Sequence, residues 1–471
     1  ILSISMLFSV PWSISFNDGD LNSILLAFII TLFSGLIIML LTRSKNNKEL
    51  LAQDGFVVVT LGWLAMVFFS ALPFYFSGIL NFTNSFFEAM SGLTTTGATI
   101  LGHDNTILIE DFPNGLLFWR SFTQFIGGMG IIVFSIAILP MLGVAGVQLF
   151  RAEVAGPSAD KLTPRVKQTA KLLWGIYVGF VLMLCLILKL EGMTWFDAIC
   201  HSFTTIATAG FSTHSESIGY FSPLIQSTII IFMFIAATNF SLHYYFIAKG
   251  RFDYFKDLEF KVYFIMILSV SIILFISIVG TNIYQINLSS FRHSLFTTVS
   301  LLTTTGFSTE DFNTWPEMSK TIIFFLFFIG GSAGSTTGGM KIVRTILVFK
   351  YLSYEIRKLL HPKGVFNISI SGKNIDENVV RATLGFYLFF IFIFVVTSIL
   401  LSISGLDMIS ALSASASSIG NIGPALGSVG PANNWGHLTD SAKWLTSFCM
   451  LLGRLEIFTV MVLFSRSFWK K

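Results

Sequence analysis

The sequence predicts an all-α polytopic membrane protein built as four successive units of span, short helix and span, with two further spans in front. Composition is the first ground. Of 471 residues, 54% are hydrophobic and only 11% charged, less than half of the roughly 25% that a hydrated surface carries. The second is a series of nine apolar stretches of about the 20 residues that cross a bilayer. The third is a Gly-containing turn that recurs four times, each time after an apolar piece too short to span. This composition excludes a soluble enzyme, a nucleic-acid binder and a disordered scaffold. Cys185, Cys200 and Cys449 stand far apart without CxxC or paired Cys/His spacing, so neither a disulfide framework nor a zinc site is expected.

Residues 1–16 are apolar but short of a full span, with no basic segment before them and no A-x-A site after. They read as the trimmed end of a transmembrane helix rather than a signal peptide. Spans are expected at 21–42, 55–80, 114–142, 170–190, 222–248, 260–281, 319–352, 382–404 and 439–465. The apolar pieces 82–93, 195–206, 290–302 and 407–419 read as re-entrant segments between them. Segments 43–54, 145–171, 249–261, 341–381 and 466–471 hold 23 of the 29 Lys and Arg residues and are placed in the cytoplasm by the positive-inside rule. The intervening segments carry Asp18, Asp20, Asp104, Glu110, Asp111, Glu191, Glu216, Glu310, Asp311 and Glu317, so the four short pieces lie on the outer side. That acidic bias either concentrates cations at an outer mouth or is a solvated loop surface. The division that follows is an N-terminal hairpin at 1–43 and repeats at 44–144, 145–249, 250–360 and 361–471.

The turns themselves are Leu93-Thr94-Thr95-Thr96-Gly97-Ala98-Thr99, Ala207-Thr208-Ala209-Gly210-Phe211-Ser212-Thr213, Thr303-Thr304-Thr305-Gly306-Phe307-Ser308-Thr309 and the divergent Ser417-Ser418-Ile419-Gly420-Asn421-Ile422-Gly423-Pro424. Gly97, Gly210, Gly306 and Gly423 stand 113, 96 and 117 residues apart, a repeat on the scale of one whole unit. Non-helical backbone is tolerated at membrane depth only when buried in protein or lining a watery cavity, so four copies entering from one side imply a pore with pseudo-fourfold symmetry. Each short helix aims the negative end of its dipole at the turn, and the turn offers backbone carbonyls that can replace an ion's hydration shell. Glycine supplies the backbone angles that a Cβ disfavours. No turn contains an ionisable side chain, which suits a monovalent cation better than Ca²⁺ or Mg²⁺. Taken singly, each turn is equally an ordinary helix end capped by glycine; four in register are not.

The set TTTGAT, ATAGFST, TTTGFST and SSIGNIGP resembles the Trk/Ktr/HKT superfamily of potassium transporters over nearly the whole chain. The two leading spans and LLGRLEIFT near the end are similar to its Trk branch rather than the shorter Ktr branch. The resemblance implies a potassium filter formed by Thr95, Thr96 and Gly97, by Thr208, Ala209 and Gly210, by Thr304, Thr305 and Gly306, and by Asn421, Ile422 and Gly423. Spacing alone leaves Gly420 and Gly423 as alternatives, and Asn421-Ile422-Gly423-Pro424 is the element that matches. Gly97 resembles the potassium-selective members, some sodium-permeable plant relatives having Ser there. Also implied are a homodimer in the bacterial inner membrane with the filter outward, a TrkA-like cytosolic RCK subunit that binds nucleotide, contacts with membrane lipids, and transported potassium with no nucleotide bound to this chain.

Gly330, Gly331, Gly334, Gly338 and Gly339 fall within ten residues with Ser335 and Thr336 among them, enough to break a helix at roughly 1 kcal/mol for each glycine. Lys341 is misplaced for a phosphate-binding loop. What remains is a flexible helix connection or, as the resemblance implies, an intramembrane loop that obstructs the pore and moves on gating. Arg454, expected midway along the last span, must face protein or water. Glu456 lies on another helix face, so carbonyls of the 330–339 loop are its expected partners, in a gating role or as an inter-helix bridge. Trp119 and Arg120 read as interface anchors, and His201 and His293 as packed or solvated side chains in preference to pH sensors. The basic segments Arg151–Lys171 and Lys341–Lys373 suit anionic lipid or a partner subunit. Rival readings are a sodium-permeable or sodium/potassium-coupled transporter of the same architecture, an intramembrane enzyme, for which no Ser/His, paired Asp or HExxH constellation exists, and an inverted-repeat carrier, which four turns of one orientation oppose.

Overall fold

The computed structural model describes residues 1–42, 52–102, 107–137, 166–281, 284–370 and 373–470. The basic stretches 43–51 and 151–165, Asp104 and positions 138–142 of the third expected span lie outside them. Helices α1 (Leu2–Met6), α2 (Val10–Phe16) and α3 (Leu21–Leu41) form the N-terminal part. Then come α4 (Ala52–Phe76), α5 (Phe82–Leu93) and α6 (Asn114–Ala137), followed by α7 (Val166–Leu190), α8 (Trp195–Ile206), α9 (Pro223–Ala236) and α10 (Phe240–Lys249). The third group is α11 (Leu258–Gly280), α12 (Leu288–Leu302), α13 (Glu317–Leu326) and α14 (Ile342–Leu360). The last is α15 (Glu377–Ile403), α16 (Met408–Gly420), α17 (Asp440–Arg454) and α18 (Phe458–Met461). A hairpin of two two-residue strands pairs Ser369 with Asn374 and Ile370 with Lys373.

The short helices α5, α8, α12 and α16 begin alike. Asn81, Thr194, Asn287 and Asp407 each accept a hydrogen bond from the backbone N–H three residues on, satisfying one of the free donors of a helix start. Each short helix packs between the long helix before it and the helix after it. In addition α6 packs on α8, α9 on α12, and α17 returns to α5, so the end of the chain closes against its first unit. One large apolar core joins these elements; a small one gathers Ala333, Val343, Leu347, Ile370, Val379 and Val380 beside the hairpin.

Among the described residues five helices are long and apolar enough to cross a membrane, and two bent pairs qualify when each is counted as one span. The expectation of unbroken spans at 222–248 and 439–465 is corrected. Helices α9 and α10 meet at 95°, and α17 and α18 lie 108° apart. The first break is made by distant partners: Ser332 N–H donates to the Ala237 carbonyl at 3.0 Å and Phe240 N–H to the Gly334 carbonyl at 3.1 Å, while Asn239 caps α10 through Ser241 N–H. At the second, Glu456 and Ile457 take φ of 61° and 38°, and Glu456 is drawn into an ion pair with Arg344. The stretch 319–352 is likewise two helices, α13 and α14, parted by the glycine-rich loop.

Candidate functional site

The four short helices end in one shared geometry. The N–H groups of Thr96, Ala209, Thr305 and Ile422 reach back to the carbonyls of Ser91, Thr204, Ser300 and Ser417 at 2.9–3.0 Å. The preceding residues Thr95, Thr208, Thr304 and Asn421 have φ of 52°, 51°, 52° and 54°. This is a Schellman ending whose left-handed position is held by Thr or Asn. The repeat glycines are therefore not the helix caps. They come two residues later, where Gly97, Gly210, Gly306 and Gly423 take φ of 83°, 79°, 81° and 104°, while Gly420 is the last residue of α16. A β-branched residue in the left-handed region costs about 1–2 kcal/mol, so the three turns with Thr there are held by their surroundings.

The glycines also have a packing role. A Cβ on Gly97 would overlap the carbonyl oxygen of Ala209, one on Gly210 that of Thr305, one on Gly306 that of Ile422, and one on Gly423 that of Thr96. The contacts run from the first turn to the second, third, fourth and back to the first, so the turns form a closed ring that admits no side chain at those positions. All four glycines line one mouth cavity together with Ser212, His214, Ser215, Ser308, Asn433 and Trp435. Two residues beyond each of the first three glycines, the carbonyl is taken by another unit: Thr99 by Trp435 N–H at 2.8 Å, Ser308 by Ile218 and Gly219 N–H at 3.0 and 3.1 Å, and Ser212 by Arg120 Nη1 at 2.8 Å. Those three carbonyls are engaged by protein and tie neighbouring units together.

On the far side of the ring two of the left-handed residues, Thr208 and Thr304, bond to the glycine-rich loop. Thr208 Oγ1 donates to Thr336 Oγ1 at 3.2 Å, and Gly338 N–H donates to Thr304 Oγ1 at 2.8 Å. Asn421 Nδ2 donates to Thr96 Oγ1 and to the Met450 carbonyl. The loop closes on itself through Gly330 N–H and the Met340 carbonyl at 2.8 Å. Buried Glu259 holds both of its limbs, accepting from Ala333 N–H at 2.8 Å and Val343 N–H at 3.1 Å. Space is the reason for the glycines: a Cβ would strike the Gly338 carbonyl from Gly330, Ala237 from Gly331 and the Gly420 carbonyl from Gly338. Ser335 bonds within the loop to the Ser332 carbonyl and Thr337, Gly334 lies against Asn239 and Gly339 against Gly330.

Arg454 is 2% exposed. It is the last residue of α17 rather than the middle of a continuous span. Its Nη1 donates to the Thr336 carbonyl at 2.9 Å and its Nη2 to the Gly127 carbonyl at 3.2 Å. Glu456 serves Arg344 instead.

Sequence reasoning placed Trp119 and Arg120 at the membrane interface, and the structure buries both. Trp119 Nε1 donates to the Ser70 carbonyl at 3.0 Å. Arg120, 1% exposed, pairs with Glu88 at 2.6 Å. His201 is buried between the Asp197 carbonyl and Ser212, and His293 lies beside Thr309 and Glu310. Sequence reasoning missed Glu88, Gln124 and Glu259 altogether; a polar residue inside an apolar stretch was the available signal.

These features define a polytopic helical membrane protein whose buried non-helical backbone converges from four chain segments on a single ring. Over residues 21–471 the chain matches the TrkH family model, described as cation transport protein. It is 40% identical over 477 residues to the Trk system potassium uptake protein TrkH of Vibrio parahaemolyticus, covering 100% of this chain and 97% of that one. It is 39% identical to TrkH of Escherichia coli K12, at 97% and 94% coverage, and 36% identical to TrkG of the same strain, at 91% and 88%. It superposes on the crystal structure of the potassium transporter TrkH from Vibrio parahaemolyticus with a TM-score of 0.89 and 38% identity, over 99% of this chain and 96% of that one. The chain belongs to the TrkH family of cation transport proteins. Its relatives carry the names of transporters, not of enzymes.

Proposed function

We propose that the chain conducts potassium into the cell across the bacterial inner membrane, through a pseudo-fourfold filter of backbone carbonyls that faces outward. The closed ring of contacts among Gly97, Gly210, Gly306 and Gly423 carries this reading. Four left-handed positions, each two residues before a left-handed glycine, alternate the handedness of the backbone and turn successive carbonyls to one side, as an ion-coordinating strand requires. Four helix C-termini add negative potential at the ring. Residues 330–339 with Arg454 form the gate: the loop is fastened to the inner side of the filter, and Arg454 fastens it to both the first and the last units. A homodimer and a TrkA-like RCK subunit that senses nucleotide complete the proposed assembly; the names of the relatives, as parts of a Trk system, support a regulatory partner.

The test is uptake of radiolabelled Rb⁺ by the full chain in potassium-loaded proteoliposomes, with external K⁺, Na⁺ and Li⁺ as competitors. Competition by K⁺ far above Na⁺ is expected. Equal competition by Na⁺ would overturn potassium selectivity and assign the chain to the sodium-permeable alternative.

A further inference from the structure

Three buried polar side chains near the ring have no part in the filter or the gate as described. Gln124, fully buried, treats the second turn as a strand partner would. Its Nε2 donates to the Ala209 carbonyl at 2.7 Å and its Oε1 accepts from Phe211 N–H at 3.1 Å. One helical turn earlier, Arg120 donates to the Ser212 carbonyl at 2.8 Å and stacks its guanidinium 3.6 Å from the centre of the Phe211 ring. Glu88, on α5, pairs with Arg120 and also accepts from Thr99 Oγ1 at 2.8 Å and Ile100 N–H at 3.1 Å. One side of this cluster therefore grips the first turn and the other grips the second. The remaining junctions are made differently. Backbone N–H groups of 218 and 219 bind Ser308, and Asn313 exchanges two hydrogen bonds with Gly427.

Burying an ion pair costs several kcal/mol for each ion, offset only where geometry is tight and the remaining donors and acceptors are engaged. Here the extra partners are groups of the two turns, so the pair fixes their separation and depth. We infer that Glu88, Arg120 and Gln124 are positioning residues that hold the second turn in register with the first and thereby set discrimination between K⁺ and Na⁺. The inference rests on the reading of the turns as an ion filter.

The experiment uses the full chain in proteoliposomes and reads the ratio of K⁺ to Na⁺ competition against Rb⁺ uptake. Gln124→Met keeps length and charge but loses both backbone contacts; Arg120→Lys keeps charge but loses the fork. Each is expected to lower the ratio about tenfold, the equivalent of 1.4 kcal/mol, in protein that remains monodisperse and takes up Rb⁺. An unchanged ratio, whatever the uptake, would overturn the inference, because a purely structural role changes the amount of working protein and not its selectivity. Should Arg120→Lys fail to insert, Gln124→Met decides alone. A wild-type protein without preference for K⁺ would instead overturn the filter reading, and this inference with it.

Discussion

Arg454 donates to the backbone carbonyl of Thr336 at 2.9 Å, and Thr336 Oγ1 in turn meets Thr208 at the inner side of the second turn. Thr336 thus touches α17, through Arg454, and the ring of turns, through Thr208. A hydrogen bond from a charged donor contributes about 1.5–3 kcal/mol, and of the two that Arg454 makes, one goes to the loop proposed as the gate and the other to Gly127 in α6. Arg454→Ala is expected to raise Rb⁺ uptake in proteoliposomes about tenfold or more while leaving the K⁺/Na⁺ ratio unchanged. Lower uptake in correctly inserted protein would assign Arg454 to structure alone.

Gly331→Ala places a methyl group against the Ala237 carbonyl and the Thr337 side chain. Either these neighbours give way or the loop shifts from the break between α9 and α10. Overpacking of this kind costs typically 1–3 kcal/mol, expected as a lower melting temperature of the detergent-purified protein together with raised basal Rb⁺ uptake. An unchanged melting temperature would mean that the loop moves freely in the resting state.

Gly97→Ser is disfavoured twice, by φ of 83° and by overlap with the Ala209 carbonyl. The expected result is a K⁺/Na⁺ ratio lowered about tenfold or more, the scale of a 1–3 kcal/mol local strain. By contrast Thr95→Asn is expected to preserve the ratio, since Asn421 holds the matching position of the fourth turn at nearly the same φ and Asn tolerates the left-handed region. A collapse of selectivity in Thr95→Asn would show that the threonine hydroxyl, not the backbone, is what the ion reads.

Much of this was open to sequence reasoning because it is local. The short helices announce themselves by Asn, Thr or Asp at the start and a small-residue turn at the end. What sequence could not show is what distant residues impose. The run 222–248 carries no Asp, Glu, Lys or Arg, yet it breaks at 237–239, where Asn239 caps the second helix and Ser332 and Gly334, about a hundred residues on, supply the backbone partners. Glu88 and Arg120 are 32 residues apart, so each alone looks like an outlier in an apolar run and together they are a buried pair. The glycines take the positive φ that the sequence reading asked of them, but their second role, leaving room for a neighbouring carbonyl, comes from residues far along the chain. The helix ends themselves are made by Thr and Asn at left-handed positions, which no local signal announced.

Outside the membrane, Glu110 links its loop to Ser215. Burial pushes its carboxyl up, but hydrogen bonds from the Ser215 hydroxyl and N–H outweigh this and hold it below the usual carboxylate value. A carboxylate depressed in the folded state stabilises fully above its unfolded pKa, and that contribution is lost as pH falls through the lower folded value. Glu110→Gln is therefore expected to melt below wild type at pH 7, the gap closing below about pH 4. A gap independent of pH would contradict the assignment.

The proposed filter requires a cation to pass between Gly97, Gly210, Gly306 and Gly423. Anomalous diffraction from crystals of the full chain grown in Rb⁺ tests it most directly. Anomalous density is expected on the axis of the ring, bounded on one side by the level of the Ser212 and Ser308 carbonyls and on the other by Thr304 and Asn421. Strong Rb⁺ density elsewhere in the chain with none inside the ring would contradict it.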